Sequence, residues 1–401
     1  MAVTPRRLYR LVGVLVCLTL LGGACRAPGA EGPPSPVAAT SPRPTRPPIT
    51  PLVSEPSPPP ATAVTPTPAP ATPPSFRYLH AGTLIEQTPE RAPQALATVP
   101  DPDAVLDATQ VNHFVVLLRR QALDRLDVRD GSSAPVARFD SPARFGALLK
   151  TPTGDPILYW VTFDDPGAPF GLGTLVGSYQ VARQIARPII IVHRSAQPLG
   201  LSADGKSLHL LPWGQDPAFG HVLVVDLARG QIEAELPVAG EIFAALSPDG
   251  RALVTTARRR RGETLETVLN FYELTSATPA LQVLDLPRKP SHAWGLLWAP
   301  DSRGVYFLLR PGDLYDEPVT ADGLRRLDGH SKAMAPVAAI GQAASRPLAI
   351  SADGQWLLLR PDRGDVATLV HLPTGAVEVV PLPATAVFVG SSLVPSPRSG
   401  R

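Results

Sequence analysis

Cysteine is nearly missing from this chain of 401 residues; Cys17 and Cys25 both lie near the N-terminus. The rest can hold neither a disulfide nor a thiolate metal site. Charge of one sign is missing too. Lys plus Arg total 37 against 35 Asp plus Glu, a formal net of +2. Residues 1–75 carry six Arg and two Glu, so residues 76–401 hold 31 basic and 33 acidic groups, a net of −2. A near-neutral body lacks the basic footprint of a nucleic-acid binder. Common catalytic signatures are absent as well. There is no Gly-x-Ser-x-Gly elbow, His-Glu-x-x-His, Cys-x-x-Cys, P-loop or clustered dinucleotide fingerprint, and the eight His do not fall at local metal-ligand spacing. No catalytic residue, metal or cofactor is therefore expected. Proline, by contrast, is abundant at 49 residues, which excludes a long-helix or coiled-coil protein.

The N-terminus reads as an address. Arg6, Arg7 and Arg10 precede an apolar run of 11 residues from Leu11 to Leu21. A spanning helix needs about 20. A basic start, a short apolar stretch and the small residues Gly22, Gly23 and Ala24 describe an export signal over residues 1–24. Cys25 follows at once. The segment Leu20-Leu21-Gly22-Gly23-Ala24-Cys25 resembles the lipobox of bacterial lipoproteins, with its Leu one place further from the Cys than usual. The resemblance implies a lipid anchor on Cys25 and display on the extracytoplasmic face of a membrane. Cleavage after Ala24 without lipid would instead release a secreted protein.

Residues 26–75 contain 18 Pro among 50, with Ala, Thr, Ser and Val filling most of the rest. Such a segment cannot bury enough apolar surface to fold, and proline stiffens it. Residues 25–75 are expected to be a disordered linker, reaching about 150 Å if fully extended.

The body, residues 76–401, is repetitive. Four ten-residue segments align without gaps: Leu201 to Leu210, Leu246 to Thr255, Trp298 to Phe307 and Ile350 to Leu359. Their aspartates, Asp204, Asp249, Asp301 and Asp353, are spaced 45, 52 and 52 residues apart. In each, an apolar stretch meets Asp-Gly (Gly205, Gly250, Gly354) or Asp-Ser, and a second apolar stretch follows. Asp caps the turn and Gly supplies positive φ, so these are structural hairpins. A second turn echoes 18 to 24 residues later, at Asp226 to Gly230, Glu273 to Ala277 and His371 to Gly375. Four short antiparallel strands per repeat are the size of a propeller blade. The even period argues against a β-sandwich.

The Leu-Ser-Pro-Asp-Gly-Arg run at Leu246 to Arg251 resembles the Tol-type β-propeller repeat, a family akin to Trp-Asp repeats that includes the periplasmic TolB propeller. The resemblance implies an all-β propeller. Weaker copies extend backward through Asp155, and through Ala95 to Val99 followed by Asp101, Asp103, a strand over Val111 to Leu118 and a turn at Asp127 to Gly131. Six four-stranded blades result. Phe76 to Glu86 and Thr385 to Val389 are left over, either closing a blade from both chain ends or belonging to a seventh.

Blade topology puts the tight turns on one face and the loops between second and third strands on the other. Those loops carry Asp164 and Asp165, Trp213 and Asp216, Arg310, Asp313, Tyr315 and Asp316, and Arg360, Asp362 and Asp365. They form a candidate binding rim. The family contains envelope proteins that work by contacting other proteins, so the first expectation is a non-catalytic, monomeric module for a protein, peptide or glycan partner, touching the membrane through its lipid alone. The alternative is a lactonase-like or glycan-processing enzyme acting at the central channel. A channel mouth of apolar and neutral groups would favour the first; a cluster of carboxylates or His would favour the second.

Overall fold

The structure, a computed structural model, describes residues 73–393 apart from short stretches at 141, 153–155, 164–172, 213–219, 239–242, 262–263, 275–278, 288–290, 313–322, 341–343, 362–364, 384 and 391. The expected signal segment, Cys25 and the linker up to residue 72 lie outside the described residues.

Seven sheets of four antiparallel strands follow one another along the chain, so the blade count is seven, and the seventh sheet carries Ser392–Leu393 as a fifth strand paired in parallel. Blades two to seven each use four consecutive strands. From the inner edge outward, blade four runs Ala196–Leu201, Ser207–Pro212, Gly220–Asp226 and Gln231–Val238. Blade one is different. Its outer three strands are Phe76–His80, Thr83–Gln87 and Gln94–Thr98, and its inner strand is Val387–Phe388 from the other end of the chain. The two leftover sequence pieces are thus partners in the seventh blade. Tyr78 pairs with Phe388 and Leu79 with Val387.

Closure is also visible in the cores. Seven apolar clusters exist among the described residues, and each joins two neighbouring blades. One of them joins blade seven to blade one, through Trp356, Leu358 and Leu369 against Phe76, Tyr78 and Phe388. The ring therefore has no open end, and each blade packs on a neighbour at both faces. Second strands read as unbroken apolar runs because both of their faces are buried. In Gly304–Pro311, Val305, Phe307 and Leu309 face blade five while Tyr306 and Leu308 face blade seven.

One expected boundary was misplaced. Val111 to Leu118 is not a single strand. Val105–Val111 and Phe114–Arg119 are separate, joined by a turn at Asn112-His113. Asn112 has φ 56°, the left-handed conformation that Asn tolerates and Gly205 or Gly250 adopts in other blades. Ala95 to Val99 correspondingly belongs to blade one, not to the blade after it.

Candidate functional site

The repeated hairpins have one chemistry. Ser202, Ser247 and Ser351 each donate a hydroxyl hydrogen bond to the Asp two residues on, at 2.7, 2.6 and 2.5 Å. The same hydroxyls accept the backbone N–H of Ser207, Ala252 and Trp356. Each Asp then accepts the N–H of Lys206, Arg251 or Gln355. Asp301 keeps only the last bond, from the N–H of Arg303, because Ala299 stands where the others have Ser. Ser302 carries the positive φ there, 59°. These carboxylates hold their own turns together.

Of the expected rim, Asp164, Asp165, Trp213, Asp216, Asp313, Tyr315, Asp316 and Asp362 lie outside the described residues. Arg310, Arg360 and Asp365 are described, and the three are unlike. Asp365 is exposed. Arg310 is buried, its guanidinium 4.6 Å above the Trp294 ring and cross-strand from His292. Arg360 is half-buried and lines a cavity. Burial, and secondarily Arg346 across the strand pair, pushes its guanidinium below the usual range.

The inner strands of successive blades contact one another and bound the central channel. Two cavities border it. The larger, about 650 Å³, is on the tight-turn side, with Pro152, Pro248, Pro300 and Ala352 from the hairpins of four blades at its rim. Leu199, Leu246, Leu296, Trp298 and Ile350 form its walls, and Gln197 supplies a neutral polar side chain. Trp298 is held by donating its indole N–H to the Ala245 carbonyl at 2.9 Å. Among the described residues, no charged side chain lines this cavity. It opens on the face opposite the loop rim that the sequence pointed to.

The smaller cavity, about 350 Å³, lies beside the closing strand and is lined by Leu106, Asp107, Leu348, Arg360, Thr385 and Phe388 among others. Asp107 is its carboxylate. One oxygen accepts the Ala108 N–H at 2.8 Å and the other the Leu148 N–H at 2.7 Å, so it ties the inner strands of blades two and three. Burial pushes its pKa up to about 6, against the lowering by those two backbone bonds. Asp107 was missed from the sequence. A lone Asp inside an otherwise apolar or neutral inner strand was the available signal, and it matched no motif. Among the described residues, no group of three His, Cys, Asp or Glu is placed to hold a metal.

The raised pKa has a defined sign. The folded state keeps its proton where an unfolded Asp, near 3.8, has lost it. Stability contributed by this group is thus lost as pH rises from about 4 through about 6 and is flat above that. Two pKa units set a ceiling of about 3 kcal/mol, reduced here because the carboxylate is part-exposed. Asp107→Asn should remove this dependence. It also deprives one backbone N–H of its acceptor, a loss that does not vary with pH. Urea unfolding of both proteins between pH 4 and 7 should show the variant gaining on the wild type as pH rises. A constant gap would show that Asp107 does not titrate in this window.

No protein-family profile and no curated protein matches the chain. Solved structures do. The propeller is similar to a proposed 6-phosphogluconolactonase of Bacteroides fragilis, with TM-score 0.51, 10% identity, and coverage of 81% of this chain and 100% of that one. A counterpart from Bacteroides uniformis gives 0.50, 13%, 79% and 99%. TolB from Acinetobacter baumannii is also among the similar structures, at 0.39, 16%, 68% and 67%. At such identities the likeness is one of fold alone: this chain carries a seven-bladed β-propeller.

Proposed function

We propose that this chain is an exported, non-catalytic binding propeller, lipid-anchored through Cys25 and carried on its proline-rich linker, which captures a protein or peptide partner at the tight-turn mouth of its channel. The observation that carries the reading is the 650 Å³ cavity with apolar and neutral walls. Acid-base chemistry needs titratable groups at the reacting atoms, and the described lining of this mouth has none. Capture of an extended chain needs apolar surface and a few neutral hydrogen-bonding groups, and it has both. Such walls also suit a peptide better than a glycan, whose hydroxyls would go unpaired.

The test is selection of peptides from a random library on the immobilised full chain. Affinities for the wild type and for Leu199→Lys are then compared by fluorescence anisotropy. Selected peptides should bind the variant at least tenfold more weakly at an unchanged melting temperature. Indifference to Leu199→Lys would remove the mouth as the binding site.

The enzyme reading rests on the second cavity, where Asp107 and Arg360 line one space. Turnover of a lactone or sugar substrate that disappears in Asp107→Asn would replace the binding reading.

A further inference from the structure

The inner strands are not regular ladders, and their irregularities share a pattern. In blade two, Val105 and Asp107 face Arg119 and Leu118, so Leu106 is an extra residue in the register. Leu199 in blade four and Leu348 in blade seven are extra in the same way, and Leu296 lies in the bulge of blade six. A bulge breaks the alternation of a strand and re-aims a side chain. All four leucines line the cavities of the channel. Leu199 and Leu296 belong to the tight-turn mouth, Leu106 and Leu348 to the smaller cavity beside the closing strand. The same device gives both cavities an apolar wall.

The two cavities differ in charge. Among the described residues the tight-turn mouth has no charged side chain, whereas the smaller cavity has Asp107 from blade two and Arg360 from blade seven. Asp107 is near the start of its inner strand and Arg360 near the end of its second strand, which puts both toward the loop face. Among the described residues, the bonds of Asp107 go to two backbone N–H groups and not to Arg360. A carboxylate offers about four acceptor positions, and a guanidinium fans out five N–H donors. Burial disfavours both charges, pushing Asp107 up to about 6 and, with help from Arg346, Arg360 below its usual range. A group of opposite sign brought to each offsets that penalty. We infer that this cavity is a second binding site, for a small zwitterion such as a free amino acid or dipeptide. Its ammonium lies on Asp107, its carboxylate on Arg360 and its apolar body against Leu106 and Leu348.

Size, charge and polarity narrow the ligand. A space of about 350 Å³ is at the low end for small-molecule sites and admits no folded partner. One acid and one base select a molecule with both charges. A simple amine would leave the guanidinium uncompensated, and a simple carboxylate would leave Asp107 so. A sugar would set its hydroxyls against the two leucines and Phe388. Location gives the site a consequence. Thr385 and Phe388 of its lining come from the segment that closes the ring. Just beyond, Gly390 donates its N–H to the Ala108 carbonyl at 2.9 Å, while Asp107 accepts the N–H of that same Ala108. Blades seven, one and two all touch the ligand, at the seam where the two ends of the chain meet. A ligand held by all three binds the closed ring and not the opened one, so it stabilises closure.

Calorimetric titration of the full chain with L-leucine and with the dipeptide Leu-Ala tests the site; the two differ in the separation of their charged ends. At least one should bind, raise the melting temperature and slow amide exchange over residues 385–390. Isoamylamine and 4-methylpentanoate keep the apolar body of leucine and lose one charge each, and both should bind at least tenfold more weakly. Asp107→Asn and Arg360→Gln should each weaken the zwitterion at least tenfold, and Leu199→Lys at the other mouth should leave it unchanged. Arg360→Gln decides alone if Asp107→Asn does not fold. Failure of both zwitterions to bind would overturn the inference. Equal binding of the amine or the acid would do the same, as would binding that survives both substitutions. Peptide capture at the tight-turn mouth depends on Leu199 and not on these two residues, so either site can fail without the other.

Discussion

Phe388→Ala should cost the protein about 3–5 kcal/mol, and Phe388→Asp more, with loss of ring closure in both. The closing strand is only two residues long. Its hold on the ring depends on few contacts, and Phe388 supplies the largest. The ring is buried, stacks on Phe76 with centroids 6.4 Å apart, and shares a core with Trp356, Leu358, Leu369 and Leu382. Removing it opens a cavity at an inter-blade contact that joins residues from both chain ends. It also frees Phe76–His80 as an unpaired inner edge. The effect should be larger than a comparable truncation within a consecutive blade, where covalent connection keeps the strands together after packing is lost. Val379→Asp is a suitable control; Val379 is on the outermost strand of blade seven, 69% exposed, and should shift stability by no more than about 0.5 kcal/mol. Urea unfolding gives the magnitude, and limited proteolysis gives the place. Early cleavage should fall between blade one and its neighbours. A Phe388→Ala protein as stable as wild type would mean that closure contributes little to the fold.

The architecture was legible where local chemistry repeats. Asp-Gly needs positive φ after a capping carboxylate, and that requirement writes itself into the sequence at Asp204, Asp249 and Asp353. Where another residue tolerates the same conformation, the mark fades. Asn112 carries the turn of blade two and Ser302 that of blade six, at φ 56° and 59°. The outer turn of blade six escaped notice for the same reason. Asp328 accepts the N–H groups of His330 and Ser331, but Lys332 takes the left-handed position, at φ 60°, that Gly230 and Gly375 fill elsewhere. Blade one was hard to count because its inner strand lies at the opposite end of the chain from the other three, and strand pairing at that distance has no local period.

The candidate site was less legible, for a different reason. A channel wall is built from one strand of each blade, and each contributes residues that look like ordinary core. Leu199, Leu246, Leu296 and Ile350 fit the repeat as apolar positions. Only the ring geometry gathers them around one space. Charged loop residues stand out in a sequence, so they drew attention toward the other face. Arg310, the most buried of those described, instead packs against Trp294.

Gly177→Ala should destabilise the protein strongly, with a loss of about 3 kcal/mol or more. Gly177 lies directly across from Trp160 in the strand pair Thr174–Gln180 and Ile157–Phe163. The indole covers the glycine, and a Cβ there would sit 2.0 Å from one ring carbon and 2.3 Å from another. The ring cannot retreat. It is buried, packs on Phe139 at 5.9 Å, and shares a core with Leu118, Leu158 and Tyr179. Glycine is weak in a strand unless something covers it, and here the cross-strand aromatic does. Two comparisons isolate the cause. Gly354→Ala meets nothing within 4 Å and should suffer only from its positive φ of 68°, about 1–2 kcal/mol. Trp160→Leu clears the space at its own cost in buried area, so the Gly177→Ala substitution should be milder in that background, with a coupling of about 1–3 kcal/mol in a double-mutant cycle. Strict additivity of the two changes would mean that the indole and the glycine do not constrain each other, and that blades two and three are held by the remaining aliphatic contacts alone.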